Sequence, residues 1–375
     1  MQKKSVGIVG WRGMVGSVLM QRMTEEDDFS HFNAVLFSTS QAGEKSPSLS
    51  HEELLWDAND ITSLARMDII LTCQGGDYTS KVHPLLRAAG WKGLWIDAAS
   101  TLRMKDSSTL VLDPLNKDRI LEGLQRGQKD FIGANCTVSL MLLALSEAFK
   151  SDLIDWISVM SYQAASGAGA KNMKELIQQM NHLSTGTLDL AQDPKSDILS
   201  MDREINKMLQ DPNSTFPKDH FGAPLAGSLI PWIDKGLDNG QTKEEWKAMV
   251  EGNKILGFTG DSQVAIDGTC VRVGVMRSHS QALTIKLKKT IEEKSFIELL
   301  RHSHEWLDYI PNDKDATVAK LNPAHYSGSL KIGLGRVRKM NLGDTFFNAF
   351  TVGDQLLWGA AEPLRRFLRM ALEQN

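Results

Sequence analysis

Six short runs of β-branched and aliphatic residues, at 6–9, 34–37, 68–72, 94–96, 110–112 and 131–133, alternate with helix-like stretches across the first third of the chain. That rhythm admits few folds, because strands joined through helical connections pair side by side in a mostly parallel, doubly wound sheet. Gly7, Gly10, Gly13 and Gly16 surround the end of the first run, and residues 15–23 then show helical periodicity. Glycines at such a strand-to-helix turn let the backbone N–H groups of a helix N-terminus approach a pyrophosphate. The spacing from Gly10 is G-x-x-G-x-x-G, one residue off the common G-x-G-x-x-G fingerprint, so on spacing alone a glycine-rich turn with no ligand stays open.

The second run ends in FSTSQ at residues 37–41, where an NAD-binding fold usually places an acidic residue for the ribose 2′-hydroxyl. Small hydroxyls there leave room for a 2′-phosphate, and Arg12 in the glycine turn offers the countercharge, which favours NADP. A solvated Arg12 is the plain alternative.

From Trp156 onward the texture changes. A strand at 157–163 is followed by helical segments at 171–180 and 196–209, a Pro- and Gly-bearing stretch at 212–238, and two strands at 264–276 and 282–288. These predict a second α+β domain around a mixed or antiparallel sheet, a kind of sheet that often buries one face in a partner. Two domains also suit 375 residues, since a single core rarely grows past roughly 250–300. The tail at 354–372 is amphipathic at helical spacing, with Pro363 expected to kink it or start a new turn.

Composition narrows the function classes. Apolar residues at 42% and charged residues at 23% suit a globular core, and a net charge of −4 without a basic stripe gives no source of attraction to nucleic acid or an anionic membrane. Apolar runs such as 140–145 are too short to span a bilayer, and the opening MQKKSVGIVG is broken by WRG at 11–13, far short of a signal-peptide core. Cys73, Cys136 and Cys270 lie far apart with no C-x-x-C pair, which argues against a disulfide framework or structural zinc and fits a reducing cytosol.

Cys136 stands apart from the other two. GANCT at 133–137 ends an apolar run and opens a helix-forming segment at 138–149, so the cysteine sits at a helix N-terminus, where the macrodipole favours thiolate and carbonyl attack. Its neighbours Asn135 and Thr137 are poor core residues, whereas Cys73 and Cys270 read as buried structural cysteines.

GWRGMVGSVLMQRM at 10–23, CQGGDYT at 73–79 and GANCTVSLML at 133–142 resemble the aspartate-semialdehyde dehydrogenase family in its longer, Gram-negative bacterial branch. The resemblance continues through YQAASG at 162–167, PLAGSLIPWIDK at 224–235, CVRVG at 270–274, HSQA at 279–282 and TVGDQLLWGAAEPLRR at 351–366, and is weaker around 41–65, 184–220 and 290–330. It implies an α/β chain with an N-terminal Rossmann-like dinucleotide-binding domain, residues 1–135 with 355–375. An α+β catalytic and dimerisation domain of the glyceraldehyde-3-phosphate dehydrogenase-like type follows over 136–354. The implied activity is cytoplasmic and homodimeric: reversible NADP-dependent reductive dephosphorylation of L-aspartyl 4-phosphate to L-aspartate 4-semialdehyde and phosphate through a cysteine thioester, on the route to lysine, methionine and threonine. No metal, nucleic acid or membrane is expected.

The resemblance also assigns residues. Cys136 is the nucleophile, His279 its acid/base partner, and Gln163 the amide that positions the substrate. Arg272 grips the substrate carboxylate, Glu244 pairs with its ammonium, and Arg103 and Lys247 hold phosphate; Glu244 and Lys247 are three apart, as in an ordinary surface ion pair. The cofactor set is Gly10, Arg12, Gly13, Met14 and Val15 in the turn, Thr39 and Ser40 near the 2′-phosphate, Gln74, the turn Ser166, Gly167, Ala168, Gly169 and Ala170, and Gln355. Ala168 interrupts what is often a run of three glycines, which predicts a slightly restricted loop. His302 and His304, two apart on an expected helix, cannot share a face and read as solvated. N-acetylglutamyl-phosphate reductase and glyceraldehyde-3-phosphate dehydrogenase use the same chemistry with local motifs that fit less well. A non-catalytic NADP-binding redox sensor or scaffold is the reading from another class.

Overall fold

The computed structural model describes residues 3–211 and 215–374; Met1, Gln2, Asn375 and the Pro212–Ser214 start of the 212–238 stretch lie outside the described residues. Two seven-stranded sheets organise the described residues. The first holds β1 (Ser5–Val9), β2 (Asn33–Ser38), β3 (Trp56–Asp57), β4 (Ile69–Thr72), β5 (Leu94–Asp97), β6 (Ser108–Val111) and β7 (Asp130–Gly133), in the order β3-β2-β1-β4-β5-β7-β6. Every neighbouring pair is parallel. The six apolar runs of the first third are six of these strands; only the two-residue β3 carries no pattern of its own. β1 lies between β2 and β4, so the chain reverses direction across the sheet there and opens a crevice at the carboxyl ends of the strands, the usual seat of a dinucleotide.

The second sheet holds β8 (Ile154–Gln163), β9 (Leu229–Ile230), β10 (Ala265–Val273), β11 (His279–Leu287), β12 (Leu307–Tyr309), β13 (Ile332–Lys339) and β14 (Phe346–Gly353), in the order β12-β13-β14-β11-β8-β10-β9. It is mixed: β8 pairs parallel with β10 and antiparallel with β11. That register decides the site. Arg272 on β10 lies opposite Gln163 on β8, and the antiparallel β11 begins with His279 at the same end of the sheet. The sequence pattern missed β13 and β14, since glycines and basic residues dilute the first, IGLGRVRK, and its register with β14 shifts between Gly335 and Arg338.

The helix Cys136–Ala144 joins the two sheets and is buried on every side. Such an all-round apolar helix has no solvent face, and its first residue inherits a fixed position. The tail then returns to the first sheet: a wide turn over Leu357–Ala361 leads into the helix Glu362–Glu373, with Pro363 in its first turn as the sequence suggests. Phe367 stacks on Phe131 with ring centroids 4.2 Å apart, Arg365 pairs with Asp28 at 3.0 Å, and Arg366 with Asp113 at 2.6 Å. Among the described residues no helix is long and apolar enough to cross a membrane.

The histidine pair needs correction. The helix Glu293–Arg301 ends before both, and only His302 is solvated. His304 is partly buried, its Nε2 within 2.9 Å of the Leu143 carbonyl, and burial lowers its pKa.

Candidate active site

Asn135 caps the nucleophile's helix: its Oδ1 accepts from the backbone N–H groups of Thr137 at 2.9 Å and Val138 at 3.3 Å. This leaves Cys136 as the first helical residue. Its Sγ lies 3.3 Å from His279 Nε2, and the other ring nitrogen, Nδ1, accepts the Ala164 N–H at 3.1 Å. A backbone N–H always donates, so Nδ1 is unprotonated and the neutral ring carries its proton on Nε2, facing sulfur. The peptide group of Ala164 serves both partners, since its carbonyl accepts from Arg272 Nη1 at 2.7 Å.

The thiolate expected from the helix start is not what the free site favours. Burial pushes the Cys136 thiol up to about 12, with the Glu244 carboxylate adding to the effect, while Arg103, Lys247 and Arg272 oppose it. Burial also pushes His279 down to about 3, and the Arg272 charge pushes the same way. Desolvation disfavours both charged forms more than the helix end favours one of them. Thiol and imidazole therefore rest neutral.

Cys136, Gln163, Arg103, Glu244, Lys247 and Arg272 line one cavity of about 430 Å³. Gln163, at the end of β8, donates to Glu244 Oε1 at 3.2 Å, and Asn135 Nδ2 donates to the same oxygen at 2.9 Å. The other carboxylate oxygen of Glu244 sits 2.8 Å from Lys247 Nζ, which also reaches Asp234 at 2.9 Å. What reads in sequence as a surface ion pair is thus buried, each partner 7% exposed. Against burial, Lys247 holds the Glu244 carboxyl below its ordinary range; against burial, Glu244 holds the Lys247 ammonium above its own.

A second cavity of about 320 Å³ lies over the carboxyl ends of β1 and β2, lined by Gly10, Arg12, Gly13, Thr39, Ser40 and Gln74 together with Ser38. The glycine turn and hydroxyls of this cradle suit the phosphate and ribose groups of a dinucleotide. Gly10 has φ +76°, and a side chain there would stand 2.6 Å from the Cys73 backbone, while one at Gly16 would stand 2.1 Å from the Gly10 carbonyl. Gly13 gives no side-chain cap to the helix Met14–Glu25, so the N–H groups of its first turn remain for a ligand. Arg12 Nη2 donates to Ser38 Oγ at 2.9 Å.

Val15, Ser166, Gly167 and Gln355 line the larger cavity. Gln355 Oε1 accepts the Ser278 N–H at 2.8 Å, and its Nε2 donates to Ser166 Oγ. Met14, Ala168, Gly169 and Ala170 line neither cavity. Ala168 is exposed, and the positive φ of this turn falls on Gly169, at +103°. Cys270 is buried, as its structural reading requires; Cys73 is only partly so. Burial pushes the Cys270 thiol up to about 12.

Asn135, Asp234 and Glu251 were given no place in the site by the sequence, and Ser38 was read only as one of the small hydroxyls at the end of β2. For Glu251 a signal existed: Glu244, Lys247, Glu251 and Lys254 continue one stripe at spacings of three, four and three on the helix Lys243–Leu256. Asp234, by contrast, sits in a loop at φ +72°, where no pattern announces it.

The profile of a semialdehyde dehydrogenase NAD-binding domain matches residues 5–123, and that of a semialdehyde dehydrogenase dimerisation domain matches residues 142–358. A solved aspartate semialdehyde dehydrogenase from Francisella tularensis is 48% identical, with a TM-score of 0.93 over 99% of this chain and 100% of its own. Aspartate semialdehyde dehydrogenase II from Vibrio cholerae, complexed with ASA, is 22% identical at a TM-score of 0.80 over 100% of this chain and 99% of its own. The Candida albicans enzyme with NADP is 15% identical at 0.66, over 99% of each chain. The last two show likeness of fold.

Proposed function

Since this chain belongs to the aspartate-semialdehyde dehydrogenase family and its first domain takes a nicotinamide cofactor, we propose that it interconverts L-aspartyl 4-phosphate and L-aspartate 4-semialdehyde through a thioester on Cys136. The observation that carries this reading is one cavity lined by a thiol, two guanidinium groups and a buried carboxylate–ammonium pair, with a buried imidazole 3.3 Å from the thiol sulfur. A cofactor-binding sensor or scaffold needs none of these groups together.

In the biosynthetic direction the Cys136 thiol attacks the acyl phosphate: a carbon–sulfur bond forms as the carbon–oxygen bond to phosphate breaks, and the thiol proton leaves on the departing phosphate. Arg272 receives the substrate carboxylate, for which a guanidinium offers parallel hydrogen bonds. Glu244 receives the ammonium. Arg103 and Lys247 hold the phosphate as it leaves. When bound, a nicotinamide cofactor would supply the hydride that reduces the thioester carbon. His279, with its proton on Nε2, takes the donor half of the acid/base role: it stabilises sulfur as thiolate and then the oxygen that becomes anionic on the adjoining carbon. The Gln163 amide holds that oxygen without adding charge, and collapse of the adduct releases aldehyde and a thiolate that takes a proton from water to restore the resting thiol.

We further assign NADP rather than NAD, supported by Arg12 beside Ser38 and by the hydroxyls of Thr39 and Ser40 where an acidic residue would repel a 2′-phosphate. Gly10, Gly13, Met14, Val15 and Gln74 belong to the dinucleotide end, and the 166–170 turn with Gln355 to the nicotinamide end. The same reading makes the protein a cytoplasmic homodimer and sets the domain seam at Cys136 and again at Gln355, supported by the return of the helix Glu362–Glu373 to the first sheet. The test is NADPH formation from L-aspartate 4-semialdehyde. It should require inorganic phosphate and vanish in Cys136→Ala; turnover that is indifferent to phosphate, or retained by the variant, contradicts the assignment.

A further inference from the structure

We propose that Glu251, which lies behind the phosphate-holding end of the cavity, sets the charge of that end by neutralising Arg103 and so keeps phosphate weakly held and free to leave. The inference rests on the reading that Arg103 and Lys247 hold phosphate.

Glu251 is 1% exposed and faces the other domain from the helix Lys243–Leu256. Its Oε1 accepts from Arg103 Nη1 at 3.2 Å, and its Oε2 accepts the Asn135 N–H at 2.7 Å. Arg103 is held independently: Nε donates to the Gly133 carbonyl at 2.7 Å and Nη2 to the Ala98 carbonyl at 3.1 Å. One turn further along the same helix, Lys254 Nζ donates to the Arg103 carbonyl at 2.6 Å and the Lys105 carbonyl at 2.7 Å, which pins the loop that carries the arginine. The aim of Arg103 is therefore fixed by backbone carbonyls and Lys254. What Glu251 adds to Arg103 beyond these is one further hydrogen-bond acceptor, 3.2 Å from Nη1, and a negative charge.

A phosphate entering the cavity meets a guanidinium with most of its N–H groups engaged and its charge matched. Lys247 is matched in the same way by Glu244 and Asp234. Arg103, Lys247 and Arg272 thus face Glu251, Glu244 and Asp234, three cations against three carboxylates. A near-neutral site binds an oxyanion through directed hydrogen bonds rather than net attraction, which suits a group that must depart after each biosynthetic turnover.

The experiment uses full-length enzyme with inorganic phosphate as probe. Glu251→Gln should lower the phosphate KM by about tenfold, the scale of removing one nearby charge at a hydrated site, and leave the aldehyde KM within about twofold. Phosphate should also raise the melting temperature of this variant more than that of the wild type. A phosphate KM that is unchanged or raised overturns the inference. Wild-type enzyme gives an arm that needs no folded variant: its phosphate KM should change less than about twofold between about 50 and about 200 mM KCl, and a steep rise marks a net-cationic site and overturns the idea. Arg103→Met separates the layers. If it raises the phosphate KM while Glu251→Gln does nothing, only the charge-setting role fails; if it leaves the phosphate KM unchanged, the phosphate-site reading fails with it.

Discussion

Gly359 passes over the nucleophile so closely that its missing side chain is itself a structural requirement. A Cβ at this position would stand 2.5 Å from Cys136 Cβ and 2.8 Å from Cys136 Cα, where ordinary contacts begin at 3.4 Å. Gly359→Ala therefore has to open the contact by about 0.9 Å, and neither side yields cheaply: one belongs to a helix buried all round, the other to the turn that anchors the C-terminal helix. Overpacking of this kind costs about 1–3 kcal/mol of stability, a melting shift of a few degrees in a chain of this size. The cost to catalysis is larger. Sulfur displaced by about 1 Å from its alignment with His279 and the substrate carbon should lose about 100-fold in kcat/KM, or about 2.7 kcal/mol of transition-state stabilisation. Steady-state kinetics with a parallel thermal melt provide the assay. Activity within twofold of wild type in folded Gly359→Ala would refute the claim that this contact positions the nucleophile.

Arg12→Ala should weaken NADPH by about 10- to 100-fold, the loss of charge-assisted hydrogen bonds worth about 1.5–3 kcal/mol, and leave NADH unaffected; equal losses with both cofactors would place Arg12 elsewhere than at the 2′-phosphate. Because burial holds the Cys136 thiol up, its alkylation rate in free enzyme should climb about tenfold per pH unit across pH 6 to 9; a plateau already reached near pH 6 would mean a preformed thiolate. His279 gives a stability signature. Its folded pKa, about 3, lies below the ordinary 6.5, so only the unfolded chain binds this proton between those values, and stability falls as pH drops through that window by up to about 1.4 kcal/mol per unit. Denaturant melts of wild type and His279→Gln should converge towards low pH, and parallel curves would show that the buried neutral ring is not the cause.

Much of this site was legible because strand ends can be read in sequence. The six apolar runs place the glycine turn, the hydroxyl cluster at 38–40 and GANCT at carboxyl ends of one parallel sheet, where ligands collect. The meeting of Gln163, Arg272 and His279 was not legible from spacing, since it depends on β10 running parallel to β8 and β11 antiparallel to it, a pairing made across more than a hundred residues. Charge gave the most misleading signal. Glu244 and Lys247 have the spacing of a surface pair and are buried, and Glu251 and Lys254 extend the same stripe into the other domain. Periodicity shows that four residues share a face but not whether that face meets water. The helix start at Cys136 was read correctly, yet its electrostatic consequence was reversed by burial, which no local pattern reports.

The central claim is a covalent one and is tested most directly by mass spectrometry of the Cys136 peptide. Enzyme mixed with L-aspartate 4-semialdehyde and NADP+ without phosphate should form NADPH in a burst no larger than one per site, with an aspartyl thioester on Cys136 that inorganic phosphate then discharges. A burst with no adduct on Cys136, or an adduct that phosphate fails to remove, would contradict it.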